Sequence, residues 1–313
     1  MVSVIIPTYN REDCLYRMLE SLHNQKNVKF EVLVIDQSDE ISQEKINKII
    51  ISCHWLRYFH INEKGRSLSK NFAIDNAKYN IILFCDDDII VDEYFLEEHV
   101  RLHGLYRDVG AISCHLIEPH ENEIQCKIPL KITKYGRFIN KPNALYNGYV
   151  TSLNGGNMSF KSSALKKVGY FEENYLGTSM LEEPDIAYRL QKSNYKLYFS
   201  SNSKVKHFPQ YNGNINIRKG KNFRWQRDYF INQYFFMFRN KRTGYFPLIF
   251  IYLVYRTIID SIENKNISLK YLLLPFTSFN KALIIWKEQS KYYKSNWYTS
   301  RKNVVSVSIN VEN

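Results

Sequence analysis

The sequence has 313 residues, 44% of them apolar and 15% aromatic, which is enough to bury a sizeable core and too apolar for wholesale disorder. Its formal net charge is +12, yet residues 1–200 carry 24 Lys and Arg against 26 Asp and Glu, whereas residues 201–313 carry 19 against 5. The basic excess lies in the C-terminal third and predicts an anionic partner there, with a solvated basic face as the plain alternative. Five cysteines (Cys14, Cys53, Cys85, Cys114, Cys126) form no Cys-x-x-Cys pair, which excludes a zinc-ribbon spacing and fits a reduced compartment better than a disulfide scaffold. Met1 runs straight into an apolar strand pattern, so a signal peptide is not expected and a cytoplasmic location is.

Residues 2–7 are a short apolar run closed by Pro7, the pattern of a buried strand. Leu15, Met18, Leu19 and Leu22 recur at i, i+3, i+4 and i+7 and predict an amphipathic helix over 12–25. Phe30–Ile35 reads as a second strand, stopped by Asp36-Gln37-Ser38-Asp39, and a helix is predicted over 42–51. Further strands are predicted at Leu56–Ile61, Ile81–Cys85 and 110–116, separated by helices over 67–77 and 92–105. Residues 117–152 show weak periodicity and read as a loop-rich excursion. A turn at Asn154-Gly155-Gly156-Asn157 precedes helices over 162–168 and 182–192, and Tyr195–Ser200 is a last strand. This alternation implies βαβ units and a mostly parallel sheet covered on both faces. Ligands then bind at the carboxyl ends of the strands, just after Ile6, Ile35 and Cys85. Beyond residue 210 aromatic and aliphatic stretches are edged with Lys and Arg. Those at 245–255 and 271–286 read as too short or too interrupted to span a membrane, which takes about 20 apolar residues.

The strongest chemical signal is Asp86-Asp87-Asp88 at the end of a buried strand. Adjacent carboxylates repel, and a bound cation or a strong donor network sustains their ionised form. Mg²⁺ or Mn²⁺ bridging carboxylates and a diphosphate would stabilise a nucleotide leaving group. A solvated acidic turn is the bland alternative, weakened by the strand before it. Glu182-Glu183-Pro184-Asp185 opens a helix, where the dipole alone accounts for acids; one of them is also a candidate general base. Arg66 and Lys70 open another helix and suit a diphosphate. His99 and His103 share a helix face without the glutamate of a zinc-protease motif and read as packing or surface residues. His207 follows a strand and is a candidate metal ligand.

Taken in order, these segments resemble family 2 glycosyltransferases, which have the GT-A fold. The carrying residues are Val2-Ser-Val-Ile-Ile-Pro-Thr-Tyr-Asn-Arg11, Glu31-Val-Leu-Val-Ile-Asp36, Asp86-Asp87-Asp88, Asn154-Gly-Gly-Asn-Met-Ser-Phe160, Val168-Gly-Tyr-Phe-Glu172, Glu182-Glu183-Pro-Asp185 and Arg189-Leu190. The resemblance covers residues 2 to about 208. It implies a catalytic domain over 1–208, with a nucleotide-sugar half to about 115 and an acceptor half from about 116. A helical, basic and aromatic extension over 209–313 follows.

The resemblance further implies a nucleotide diphosphate sugar donor and transfer with inversion to an acceptor hydroxyl, in cell-surface polysaccharide or glycolipid synthesis. Pro7, Thr8, Tyr9 and Asp36 would hold the base and ribose, with Arg11 in the same nucleotide-sugar site. Asp86, Asp87, Arg66 and Lys70 would meet the diphosphate, and Asp86, Asp88 and His207 the Mg²⁺ or Mn²⁺. Gly155, Gly156 and Asn157 would lie near the sugars. Glu183 falls where the family usually has a catalytic aspartate, with Glu182 and Asp185 as alternative bases. The Asp36-Gln37-Ser38 turn is leaner than the usual Asp-Asp-Gly-Ser and leaves the nucleotide base open. A nucleotidyltransferase of similar fold and a catalytically silent membrane adaptor are the competing readings; the acidic helix start after Gly155-Gly156-Asn157 counts against the first, and the retained Asp86-Asp87-Asp88 and Glu182-Glu183 against the second. The tail predicts peripheral attachment to the inner face of the cell membrane beside a lipid-linked glycan, with Trp225, Tyr229, Tyr245 and Phe250 at the interface. The competing account packs these helices on the catalytic domain or in a homodimer. Nucleic acid is not expected, because no recognition motif accompanies the charge.

Overall fold

The computed structural model describes residues 1–40, 53–133, 137–208, 223–263, 268–292 and 306–309; the helix predicted over 42–51 lies outside them. Strand β1 (Val2–Thr8) leads into helix α1 (Glu12–Leu22) and strand β2 (Phe30–Asp36). Strand β3 (Leu56–Ile61), helix α2 (Arg66–Asn76) and strand β4 (Ile81–Cys85) follow. The four strands are parallel in the order β3-β2-β1-β4. Strand order reverses between β1 and β4, so their carboxyl ends flank a crevice. Side chains alternate across this sheet. Val4 and Ile6 meet Leu15, Met18, Leu19 and Leu22 of α1 on one face, while Ile5, Leu33, Ile35 and Phe84 fill the core on the other. Helix α1 stops at Leu22 and not at 25, because the apolar stripe ends there and Asn27 turns the chain in a left-handed conformation (φ 61°).

Strand β5 (Ile89–Ile90), helix α3 (Phe95–Leu105) and strand β6 (Val109–Ile117) come next. The stretch read as loop-rich holds five short strands: β7 (Ile124–Gln125), β8 (Leu130–Ile132), β9 (Phe138–Asn140), β10 (Ala144–Leu145) and β11 (Asn147–Val150). Segments of two to four residues leave no readable period. Strand β12 (Asn157–Lys161) runs antiparallel between β4 and β6 and begins inside the segment read as a glycine turn. Helix α4 (Ser162–Val168) and helix α5 (Glu182–Lys192) match the predicted helices. Strand β13 (Lys196–His207) is twice the length expected, because Lys204 and Lys206 face solvent while Ser203, Val205 and His207 turn inward. Its last residues pair with β5, which sets His207 opposite Ile89, next to Asp88.

The tail forms helices α6 (Phe223–Arg239), α7 (Phe246–Glu263), α8 (Leu269–Leu272) and α9 (Leu274–Tyr292), and strand β14 (Ser306–Ile309) pairs with β3. Phe230, Tyr234, Phe235 and Phe236 of α6 are fully buried with Ile249, Leu253, Leu274 and Ala282, and in the same cluster with Tyr175 and Leu181 from the segment before α5. Residues 243–262 make a 20-residue stretch of mean hydropathy 1.4, long and apolar enough to cross a membrane by length and composition, with 28% of it buried. The apolar run ends at residue 255, but the helix continues through Arg256, which pairs with Asp260 one turn on at 2.6 Å. Of the four aromatics expected at an interface, Trp225 stacks on Tyr229 at 5.6 Å and Phe250 packs against Phe246 and Phe276; Tyr245 is the exposed one.

Candidate active site

A cleft of about 570 Å³ opens at the carboxyl ends of β1, β2 and β4. Its walls include Pro7, Thr8, Tyr9 and Arg11 after β1, Arg66 and Lys70 of α2, Asp86 after β4, and Gly155. Asp36, at the end of β2, lies buried below it and accepts hydrogen bonds from the Ser38 amide at 2.7 Å and from the Tyr58 hydroxyl. Asn10 adopts a left-handed conformation (φ 53°), and its amide donates to Ser38 Oγ at 2.8 Å, tying the turn after β1 to the turn after β2.

The three aspartates divide the work by burial. Asp87 is fully buried, accepts from Thr8 Oγ1 at 2.7 Å and pairs with Arg11 at 2.9 Å. Burial pushes its pKa up to about 7 against the pull of Arg11. Asp88 is buried too and meets Arg11 at 2.7 Å and His207 Nε2 at 3.1 Å. Burial disfavours charge on His207, but Asp88, Asp86 and Glu118 outweigh it and raise its pKa. Asp86 lines the cleft and faces Arg66 at 3.7 Å.

Asp86, Asp88 and His207 bring one ligand atom each within 4.8 Å of one another. Two carboxylates and an imidazole suit a divalent ion. Asp88 Oδ1 is buried without a well-aligned hydrogen bond although His207 stands beside it, as expected of atoms turned toward a common cation. The residues present fit a metal.

Beside the glycine segment, α5 opens with Glu182 and Glu183. The turn before it holds Ser179 (φ 55°) and Leu181 (φ 81°) in left-handed conformations, unusual for a residue as bulky as leucine. Glu183 rests on the glycine segment: a Cβ on Gly155 would stand 2.1 Å from its Oε1, and one on Gly156 would stand 2.9 Å from Asp86 Oδ2. Gly155-Gly156 thus lets the candidate base and the acidic cluster share one edge of the cleft. Burial, then the neighbouring Glu182, raises the pKa of Glu183, with Lys70 and Arg66 opposing.

Several residues expected at ligands are held by protein groups, Lys70 and the alternative base Glu182 by each other although Lys70 lines the cleft. Lys70 is buried and pairs with the fully buried Glu182 at 2.5 Å, and Ser67 donates to the same carboxylate at 2.5 Å. Asp185 is fully buried and faces the tail, held by Arg189 at 2.8 Å, Arg239 at 3.3 Å and Asn240 at 2.7 Å. Burial opposes its charge, but the two guanidiniums prevail and lower its pKa. Asn157 turns into the core, where its Oδ1 meets His99 Nε2 at 2.9 Å and its amide donates to the His115 carbonyl at 3.2 Å. The cleft also has walls that sequence reasoning missed, among them Gln37, Lys64, Ser69, Gly177 and Arg224. Gln37 sits in a strand-end turn and Lys64 just before α2, positions the strand-end rule reaches. Arg224 carried no signal, because only the packing of α6 brings it there.

A twisted, mostly parallel sheet with an acidic cluster at its switch point, faced by a carboxylate-bearing helix, defines a protein of the GT-A glycosyltransferase fold. The chain belongs to glycosyl transferase family 2, whose domain matches residues 3–169. It is 25% identical over 230 residues to the chondroitin synthase of Escherichia coli, covering 64% of this chain and 33% of that protein. The chain spans between 13% and 33% of the first curated relatives it matches. Among solved structures, S. aureus TarS in complex with UDP-GlcNAc superposes with a TM-score of 0.64 at 13% identity, over 93% of this chain and 83% of that one. The mannosyltransferase PcManGT from Pyrobaculum calidifontis, in complex with GDP-Man and Mn²⁺, gives 0.55 at 15% identity, over 94% of this chain and 88% of that one.

Proposed function

We propose that the chain transfers a sugar, with inversion, from a nucleotide diphosphate sugar to a hydroxyl of a glycan or lipid-linked glycan in cell-surface polysaccharide synthesis. The observation that carries this is the meeting of the Glu183 carboxylate with Gly155, which lines the cleft together with Asp86. The acceptor oxygen attacks the anomeric carbon while its proton passes to the Glu183 carboxylate. The bond from that carbon to the diphosphate oxygen breaks, and the nucleoside diphosphate leaves with the electron pair. Asp86, Asp88 and His207 would hold Mg²⁺ or Mn²⁺, which when bound offsets the charge of the diphosphate. Thr8 orients Asp87 by a hydrogen bond, and Arg11 offsets the charge of Asp87 and Asp88. Neighbours of this fold in complex with UDP-GlcNAc and with GDP-Man and Mn²⁺ support the donor class.

The test is a panel of UDP-, GDP- and dTDP-sugars with Mn²⁺ or Mg²⁺, scored by thermal protection and by released product. A matching donor at 100 times its dissociation constant stabilises by about 2.7 kcal/mol. Acceptor-dependent release of a nucleoside diphosphate supports the proposal. Release of sugar 1-phosphate, with the nucleoside monophosphate passed to an acceptor, would indicate nucleotidyl transfer, and protection by no donor would remove the donor reading.

The proposal includes peripheral attachment to the cytoplasmic face of the membrane, where a lipid-linked acceptor is reached. Its support is the +14 balance of residues 201–313 (19 basic against 5 acidic) and an exposed apolar strip on α7. Leu248, Ile251, Tyr255, Ile258 and Ile262 recur every three to four residues on one face, and Leu269, Leu272 and Phe276 are exposed just beyond. Vesicles with anionic lipid are expected to sediment the chain at low salt and to release part of it at high salt. Absence of binding with a stable dimer in solution would assign the strip to a second copy. Extraction by detergent alone would mean that α7 spans.

A further inference from the structure

We propose that helix α6 positions the candidate base, with Arg239 as a positioning residue that acts through Asp185; this rests on Glu183 being that base. Helix α5 begins from a turn whose Ser179 and Leu181 are both left-handed, a conformation that surrounding contacts must hold. Those contacts come from the tail. Asn232 of α6 donates its side-chain amide to the carbonyls of Leu176 and Met180, both at 3.1 Å, and accepts from the Leu176 amide at 2.9 Å. Leu181 is buried in the same cluster as Phe230 and Tyr234.

Two residues past Glu183, the buried Asp185 carboxylate is shared between two arginines. Arg189 lies one turn along the same helix and moves with it. Arg239 lies on α6 and reaches Asp185 at 3.3 Å and Glu172 at 2.5 Å, so its guanidinium ties the start of α5 to the loop at Glu172. Gln289 of α9 donates to the same Glu172 carboxylate, and Asn240 to Asp185 at 2.7 Å. The extension thereby supplies three polar groups to one buried network beneath the base. Glu183 has Gly155 against its carboxylate, so a small shift of the first turn of α5 changes its reach toward an acceptor.

The experiment compares Arg239→Met, Arg239→Lys, Glu183→Gln and the double variant Arg239→Met/Glu183→Gln in the full chain. Hydrogen exchange without ligand is expected to quicken at the amides of residues 181–185 in Arg239→Met, with the β1–β4 amides unchanged. In single-turnover assays with whichever UDP-, GDP- or dTDP-sugar scores in the panel, Arg239→Met is expected to lower the rate about 10- to 100-fold with the donor KM held. Arg239→Lys keeps one of the two carboxylate contacts and should recover part of the rate. In the Glu183→Gln background the same Arg239→Met change should cost under about twofold, because the group it positions is gone. Equal loss in both backgrounds, or unchanged exchange at 181–185, would overturn the proposal. Full turnover by Glu183→Gln would instead remove the base assignment. If Arg239→Met fails to fold, Arg239→Lys alone, with and without Glu183→Gln, decides by the same comparison.

Discussion

Glu183→Gln is expected to lower turnover by about 10²–10⁴-fold, the usual contribution of a general base, while donor protection against thermal unfolding persists. The amide keeps the volume and cannot take the acceptor proton. Its neighbours predict the pH behaviour. Burial and Glu182 raise the pKa of Glu183, so the carboxylate form accumulates only as pH climbs past the ordinary glutamate range. Turnover should therefore fall on the acid side through that raised pKa, and Glu183→Gln should lack this limb. Folding stability runs the other way. A carboxyl whose pKa is raised on folding contributes stability below its unfolded pKa and loses it as pH rises through the folded value. Glu183→Gln should thus melt no lower than the parent at neutral pH. A variant with full turnover and an unchanged acid limb would rule Glu183 out, and the buried positions of Glu182 and Asp185 would then have to be re-examined by the same substitutions.

Asp88→Asn is expected to cost about 10²–10³-fold in turnover, comparable to deleting one electrostatic group at a reacting centre. It should also weaken Mn²⁺ binding measured by titration in the absence of donor. Asp88 is the shared member of the site: its carboxylate meets both Arg11 at 2.7 Å and His207 at 3.1 Å. An amide there offers one neutral oxygen to the cation and loses the attraction that holds the two bases. Excess chelator should abolish transfer in the parent, with recovery on adding Mn²⁺ or Mg²⁺. Full transfer in chelator, or Mn²⁺ affinity unchanged in Asp88→Asn, would remove the metal from this account. Thermal melting in chelator separates this loss from unfolding, since Asp87 is held by the protein's own Thr8 and Arg11.

The sequence alone determined the parallel βα half and the places to look in it. Val4, Ile6, Ile5, Leu33 and Phe84 occupy strands buried on both faces, so apolar runs broken by Pro7, Asp36 and Asp86 mark the strands and their functional ends together. Local order also fixed helices α4 and α5 and put Glu182 and Glu183 at a helix start. Tertiary structure decided which charged groups line the cleft and which face each other. Lys70 and Glu182 are 112 residues apart, and Asp185 and Asn240 are 55 apart. Nothing in local periodicity states that those pairs close, since each is made only when separate elements pack. The same holds for His99, read as packing or surface and found bridging Asn157 and Ser159 in the core. It holds most for the tail. Its composition gave a charge and a set of aromatics, but the burial of Phe230, Tyr234 and Phe235 against Leu181 is what brings Arg224 to the cleft and Arg239 to Asp185. A buried charge is tolerated only where a counter-charge arrives from elsewhere in the fold, and that arrival is a property of the packed chain.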